Sequence, residues 1–331
     1  MFRSLADDGI VRRLIGAAAA APSIHNTQPW RFRTIGDVIE VHGDPDRMLW
    51  VADPRGRALH LSCGAALFNL RLAIRMLGAK PLVWPLPDPA GEPTLLASVQ
   101  LADGRPATPQ ERELFDAITL RHTSRAPFSG RRIPDSVQIC LEQEASFEYA
   151  SLRMLSAADA TAVLELAAEA DRKLAANFDH RVELGQWIGT SGDDGVPASA
   201  LGGRPDHEPA PVRDLGYASP AIGRPSASFE QQPMLAVLST ARDEPADWLR
   251  AGQALQRVLL AATRNGIATS FLYQPIELRD IERPARDWWP WPECPQTIVR
   301  LGYGPMGADS PRRQVAAMID PPAEAADNVR R

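Results

Sequence analysis

Apolar residues recur at helical spacing in two segments that align without gaps, CGAALFNLRLAIRMLG from Cys63 to Gly78 and AGQALQRVLLAATRNG from Ala251 to Gly266. Gly64 matches Gly252, Ala66 matches Ala254, Leu67 matches Leu255, Leu72 matches Leu260 and Gly78 matches Gly266. Each segment closes on a glycine, the residue that most readily ends a helix. After a proline-containing stretch, each is followed by a short apolar run that predicts a strand: TLLASVQL around Val99 and QTIVRLGY around Val299. Chance likeness between alanine-rich helices accounts for the Ala and Leu matches. It does not account for paired glycines with a matching strand downstream, so the pattern predicts an internal duplication.

The remaining chain frames this repeat. The stretch from Asp7 to Pro22 predicts an amphipathic helix; Asp7, Asp8, Arg12 and Arg13 interrupt it too often for a secretory leader. A helical stretch ends near Trp187, and PMLAVLST from Pro233 reads as a strand. Between them, about residues 188 to 232, lies a run rich in Gly, Pro, Ser and Asp that includes GTSGDDGVP and GRPDHEPAPVRD. Segments of this length without periodicity are commonly lids or binding loops. Residues 321–331 read as a flexible tail.

Composition narrows the function classes. Of 331 residues, 44% are hydrophobic and 23% charged, close to a soluble globular domain, and no apolar run approaches a membrane span. The formal net charge of -5 offers no basic field for nucleic acid. Three separated cysteines, with no C-x-x-C or H-x-x-x-H, argue against a disulfide framework or a metal site and for a reducing, cytoplasmic setting. GYGPMG, Gly302 to Gly307, imitates a dinucleotide fingerprint, but too little chain follows for the helix and second strand that such a site needs. No hydrolase elbow or Walker motif is present.

Three segments together carry a family resemblance: APSIHNTQPW from Ala21 to Trp30, RHTSRAPF from Arg121 to Phe128, and the helix beginning AGQALQRVLL with RLGYG and SPRR after it. They resemble nitroreductase-type flavoproteins, and most closely the double-length, Acg-type members. The resemblance implies an α+β fold in which a nitroreductase unit is duplicated, with two mostly antiparallel sheets and halves related by a pseudo-twofold. The first half, residues 1–112, supplies the P-S-x-x-N-x-Q-P-W segment. The second, 113–320, supplies the phosphate-binding segment and the insert.

In this family each FMN lies between two subunits. Here each contributing motif occurs once, in opposite halves, which implies one FMN per chain in a monomer that imitates a homodimer. On the resemblance, Arg121, Arg312 and Arg313, with His122 and Thr123, are candidates for the phosphate, whose geometry forked guanidinium donors suit. Arg125 matches the family's cation beside the flavin pyrimidine ring, where positive charge favours the reduced flavin. Pro22, Ser23 and Asn26 would approach from the other half, and backbone amides at Leu272 and Tyr273 would approach N5. His25 and His60 read as spacers, Gln28 and Trp30 as locks of the loop, and Trp288 to Trp291 as packing.

The implied activity is ping-pong transfer of two electrons from NAD(P)H through flavin N5 to a nitroaromatic or quinone, with the flavin rather than a side chain as the catalyst. If the insert stays shut, the same residues describe an FMN-sequestering protein. An interaction module with an empty site is the third reading, disfavoured by the retained arginines.

Overall fold

The computed structural model describes residues 5, 7–219, 221–282 and 289–321. The first half runs α1 (Asp8–Ala19), β1 (Trp30–Ile35), β2 (Val38–Gly43), α2 (Arg57–Met76), β3 (Ala79–Pro85) and β4 (Leu95–Asp103). After α3 (Pro109–Asp116), the second runs α4 (Asp135–Ser146), β5 (Ser151–Met154), α5 (Ala157–Ala176), α6 (Phe178–Gly185), β6 (Arg204–Pro205) and β7 (Ser226–Ala227). It continues through β8 (Met234–Thr240), α7 (Pro245–Arg264), β9 (Ala268–Phe271), α8 (Gln274–Glu282) and β10 (Cys294–Gly302).

The two main sheets are antiparallel, ordered β1-β2-β4-β3 and β5-β8-β10-β9. The orders are the same when each element is replaced by its counterpart, and α2 and α7 hold equivalent places between the second and third strands. The fold is therefore α+β with the helix and strand order repeated, as the aligned segments anticipate. Gly78 and Gly266 follow the two helices with φ of 75° and 68°, a conformation that costs any side chain but glycine's.

α2 and α7 pack against each other at the centre. α2 is apolar nearly all round because it serves two cores. Cys63, Ala66, Leu67 and Leu70 join α1 and the first sheet. Leu61, Phe68 and Leu72 join α4, α7 and the second sheet.

Three features depart from the sequence picture. The boundary at 112/113 falls within α3, whose start is fixed by a capping box between Thr108 and Glu111. The end of the chain returns to the first half: Met318 lies in that core and accepts a hydrogen bond from Trp30 Nε1, Ile319 bridges Phe32, and Asp320 pairs with Arg31. The insert is ordered rather than structureless, with a small core of Leu184, Ile188, Val196, Ala200, Leu201 and Leu215 and the parallel pair β6–β7. Residues 322–331 of the expected tail, and Trp288, lie outside the described residues. Trp289 and Trp291 pack ring to ring at 4.4 Å.

Candidate functional site

The segment after α3 is seated by close backbone approach. Ser124 N donates to Thr269 O at 2.8 Å, joining the segment to β9. The glycines of GYGPMG explain themselves here. A Cβ on Gly302 would meet the Phe128 ring at 2.6 Å, one on Gly304 the same ring at 2.7 Å, and one on Gly307 the Thr123 carbonyl at 2.0 Å. That turn can therefore wrap residues 123–128 and fix their course.

Opposite it, the 22–28 segment is tightly wound. His25, Asn26 and Gln28 all sit at positive φ (46°, 56° and 49°), a conformation costing of order 1–3 kcal/mol per non-glycine residue and concentrated at functional sites. Hydrogen bonds hold it: Gln28 N donates to Ser23 Oγ at 2.9 Å, and Ile24 N to Ser62 Oγ on α2 at 3.2 Å.

Between these segments lies a cavity with about 870 Å³ of empty space, part of it open to solvent. Pro22, Ser23 and His25 form one wall, and Ala58, Ser62 and Ala65 of α2 the floor. Thr123 and Arg125 face them from the second half, together with Phe271 and Tyr273 after β9. Val212, Arg213 and Leu215 of the insert line the remaining side.

The cavity is lined by two guanidinium groups and no carboxylate. Burial, and then Arg213, bring Arg125 down to about 10; its Nη1 bonds Ala200 O at 3.0 Å. Arg213 is balanced by Glu277 of α8, at 2.6 Å and 3.3 Å, and His180 meets the same carboxylate at 2.6 Å. Against its own burial, Arg213 and then His180 hold Glu277 down to about 2. His25 Nε2 and the Tyr273 hydroxyl are buried without a hydrogen-bond partner.

Of the residues expected around the flavin, Pro22, Ser23, Thr123, Arg125 and Tyr273 line the cavity. Arg121 is not among the lining residues; it is 3% exposed, and its Nε and Nη1 have no hydrogen-bond partner among the described residues. Burial and the neighbouring Arg312 bring it down to about 9. His122 pairs with Asp309 at 3.2 Å, its proton disfavoured by burial and by Arg121.

The other expected residues do different work in this geometry. Asn26 gives its Nδ2 to Gly195 O at 2.9 Å and Pro311 O at 3.0 Å, tying the loop to the insert and to the end of the chain. Arg312 donates to the carbonyls of Ala19, Ala20 and Ala21, satisfying the end of α1, and to Asn26 Oδ1. Arg313 donates to the carbonyls of Gln28, Trp30 and Ala317 and is not among the residues that line the cavity. The Leu272 amide is spent on Ile298 O at 3.0 Å, while its neighbours Phe271 and Tyr273 line the cavity. Gln28 and Trp30 do lock the loop, Gln28 by accepting from Arg313 N at 2.9 Å and Trp30 at 0% exposure. His60 bonds Gly56 O and stands edge-on to Trp248.

Sequence reasoning missed His25, Ser62, Ala65 and Arg213. The small residues at Ala58, Ser62 and Ala65 were a readable signal, since they repeat at helical spacing on one face. Arg213 lacked any such pattern.

The aligned helices also expose the fate of the pseudo-symmetric position. Where α2 offers Ser62 and Ala65, α7 carries Arg250 and Gln253 at the matching places. Arg250 pairs with Asp247, and Gln253 accepts from Arg71 at 2.8 Å, so larger polar groups stand where the cavity floor is small.

No family model matches the chain. Among curated proteins it is 32% identical over 329 residues to "Putative NAD(P)H nitroreductase Rv3131" of Mycobacterium tuberculosis strain H37Rv, covering 96% of this chain and 93% of that protein. It is 30% identical over 314 residues to "Putative NAD(P)H nitroreductase acg" of the same organism, covering 94% of each. Among solved structures, a nitroreductase with bound FMN from Bacteroides fragilis aligns with a TM-score of 0.35 at 16% identity, over 61% of this chain and 93% of that one. On its full-length match to the two mycobacterial proteins, the chain belongs to the nitroreductase family, among its double-length, Acg-type members.

Proposed function

We propose that the cavity holds one FMN and that the protein is an NAD(P)H-dependent oxidoreductase acting on nitroaromatic or quinone acceptors. The observation that carries this reading is Arg121, a buried cation with two unpartnered nitrogens beside a second cation, Arg312. A buried charge without a partner is costly, and a phosphate dianion would supply the partner that Arg121 lacks. Bound FMN would supply two-electron hydride chemistry, in ping-pong order between NAD(P)H and the acceptor.

The chain's own residues bind and enclose. Arg121, with the Thr123 hydroxyl and His122 near it, holds the phosphate. Arg125 places positive charge where the flavin gains electrons. Ser23 and the tightly wound loop bring the opposite half against the ring, and Val212 and Leu215 exclude water. Arg250 and Gln253 support a single site per chain, and the internal pseudo-dimer supports a monomer.

A second reading, sequestration of FMN without turnover, is favoured by how firmly the insert is fastened. Gly195 and Asn26 exchange two hydrogen bonds (3.2 Å and 2.9 Å), Gln28 Nε2 donates to Asp193 O at 2.9 Å, and Arg47 pairs with Asp194 at 2.8 Å. Anaerobic mixing of the flavin-loaded protein with NADH or NADPH in a stopped-flow cell separates the two. Bleaching of the oxidised flavin band within seconds supports the oxidoreductase, and an unchanged band over minutes supports sequestration. A flavin-to-chain ratio near two would refute the single site.

A further inference from the structure

Away from the flavin cavity, a second groove with about 740 Å³ of space, part of it open to solvent, lies between α2, α3 and α7. Its floor is apolar: Phe68 and Leu72 of α2 and Leu114 of α3 are all buried. Its walls carry four arginines, Arg71, Arg75, Arg105 and Arg257, against one lining carboxylate, Glu111. In a chain whose net charge is -5, this concentration of positive charge is local.

Structural ion pairing accounts for part of this cluster. Arg75 is fully engaged, with Glu111 and the carbonyls of Ala79 and Arg105. The other three are held by one edge only. Arg71 bonds Glu148 and Gln253 through Nη1 alone, Arg105 bonds Glu111 and Pro106 O through Nη1 alone, and Arg257 uses Nε and Nη1 on Glu144 and Glu148. Their remaining donors form no hydrogen bond among the described residues. Arg71 and Arg257 are also set over the Phe68 ring, at 5.5 Å and 5.8 Å from its centroid, which brings both cations to the apolar floor.

We propose that this groove is a second binding site, for a small organic anion whose apolar body rests on Phe68, Leu72 and Leu114 while its carboxylate or phosphate head is held by Arg71, Arg105 and Arg257. The division of labour follows from the lining: an apolar floor rewards a body rather than a bare ion, and forked donors reward a planar or tetrahedral oxyanion over a neutral head. Arg71 also touches Gln253, which stands where the lost pseudo-symmetric cavity would be, so the site borders the part of the duplicated fold that flavin does not use.

Isothermal titration of the full chain, as purified, with cyclohexanecarboxylate, cyclohexyl phosphate and the neutral cyclohexylmethanol tests this. Saturated bodies are chosen because they do not stack on a flavin. The expected result is that at least one anion binds roughly tenfold or more tighter than the alcohol, since hydrogen bonds to charged groups are worth that much. The preferred anion identifies the head group. Arg105→Ser, at an exposed side chain, and Arg71→Gln should each weaken it several-fold while the flavin spectrum stays as in the parent. Equal affinity for the alcohol, unchanged binding in both variants, displacement of flavin by the ligand, or no binding at millimolar concentration would each overturn the proposal.

Discussion

Gly64 and Gly252 meet backbone to backbone: a Cβ on Gly64 would lie 2.2 Å from the Leu249 carbonyl oxygen, and one on Gly252 would lie 2.1 Å from that of Leu61. Leu61 and Gly64 are the aligned counterparts of Leu249 and Gly252. Each glycine thus touches the leucine that precedes the other, the reciprocity expected across a twofold axis. These two reciprocal contacts join α2 and α7, the two aligned helices, backbone to backbone.

Gly252→Ala should therefore act as a wedge at the centre of the molecule. Overpacking a close contact costs about 1–3 kcal/mol, and here the obstacle is backbone rather than a side chain that can turn aside. Urea denaturation of the variant is expected to show a lower midpoint with an unchanged slope; a parental midpoint would mean that the helices slide apart freely.

Arg121→Met separates stability from binding. Without flavin, the variant removes a buried charge that has no partner, so its melting temperature should rise above that of the flavin-free parent. With flavin, the order should reverse, because the variant retains FMN poorly. Melting curves recorded with and without FMN check both halves of the statement.

His25 gives the flavin-free chain a pH dependence. Burial, with Arg213 after it, lowers His25 from 6.5 to about 3. The unfolded chain therefore takes up a proton that the folded chain refuses, and His25's contribution to stability is lost as pH falls from 6.5 towards 3. His25→Leu should flatten the acid side of the stability profile across that window, measured by denaturation at fixed pH steps.

Asn26→Ala removes the side-chain bonds to Gly195, Pro311 and Arg312 together and leaves the backbone bond from Gly195 N to Asn26 O. Limited proteolysis should then cut the insert roughly tenfold faster, as expected when about 1 kcal/mol or more is taken from the local closing equilibrium. FMN should be released more readily in parallel. A parental cleavage rate would show that the remaining contacts, Gln28 with Asp193, Arg47 with Asp194 and Arg213 with Glu277, keep the insert in place without the Asn26 side chain.

Much of the architecture was legible because it rests on local periodicity. The paired glycines and downstream strands announced the duplication, and the complementary motifs located both walls of the cavity. What escaped the sequence depends on long-range pairing. Arg312 and Arg313 look like phosphate ligands in a string of residues, but the carbonyls that engage them belong to the opposite end of the chain. His25 passes for a spacer until the backbone at positive φ places its ring against the cavity. The roles of Arg213, Glu277 and His180 exist only once the insert, α8 and α6 have come together, and no short-range pattern encodes such a meeting.

The return of the chain's end to its beginning sets an order on synthesis. Trp30 gains its partner Met318, Phe32 its neighbour Ile319, and Arg31 its counter-charge Asp320 only from residues made long after the first sheet. The emerging first half must wait with an open seam while the second is translated, and residues 1–112 produced alone would never close it.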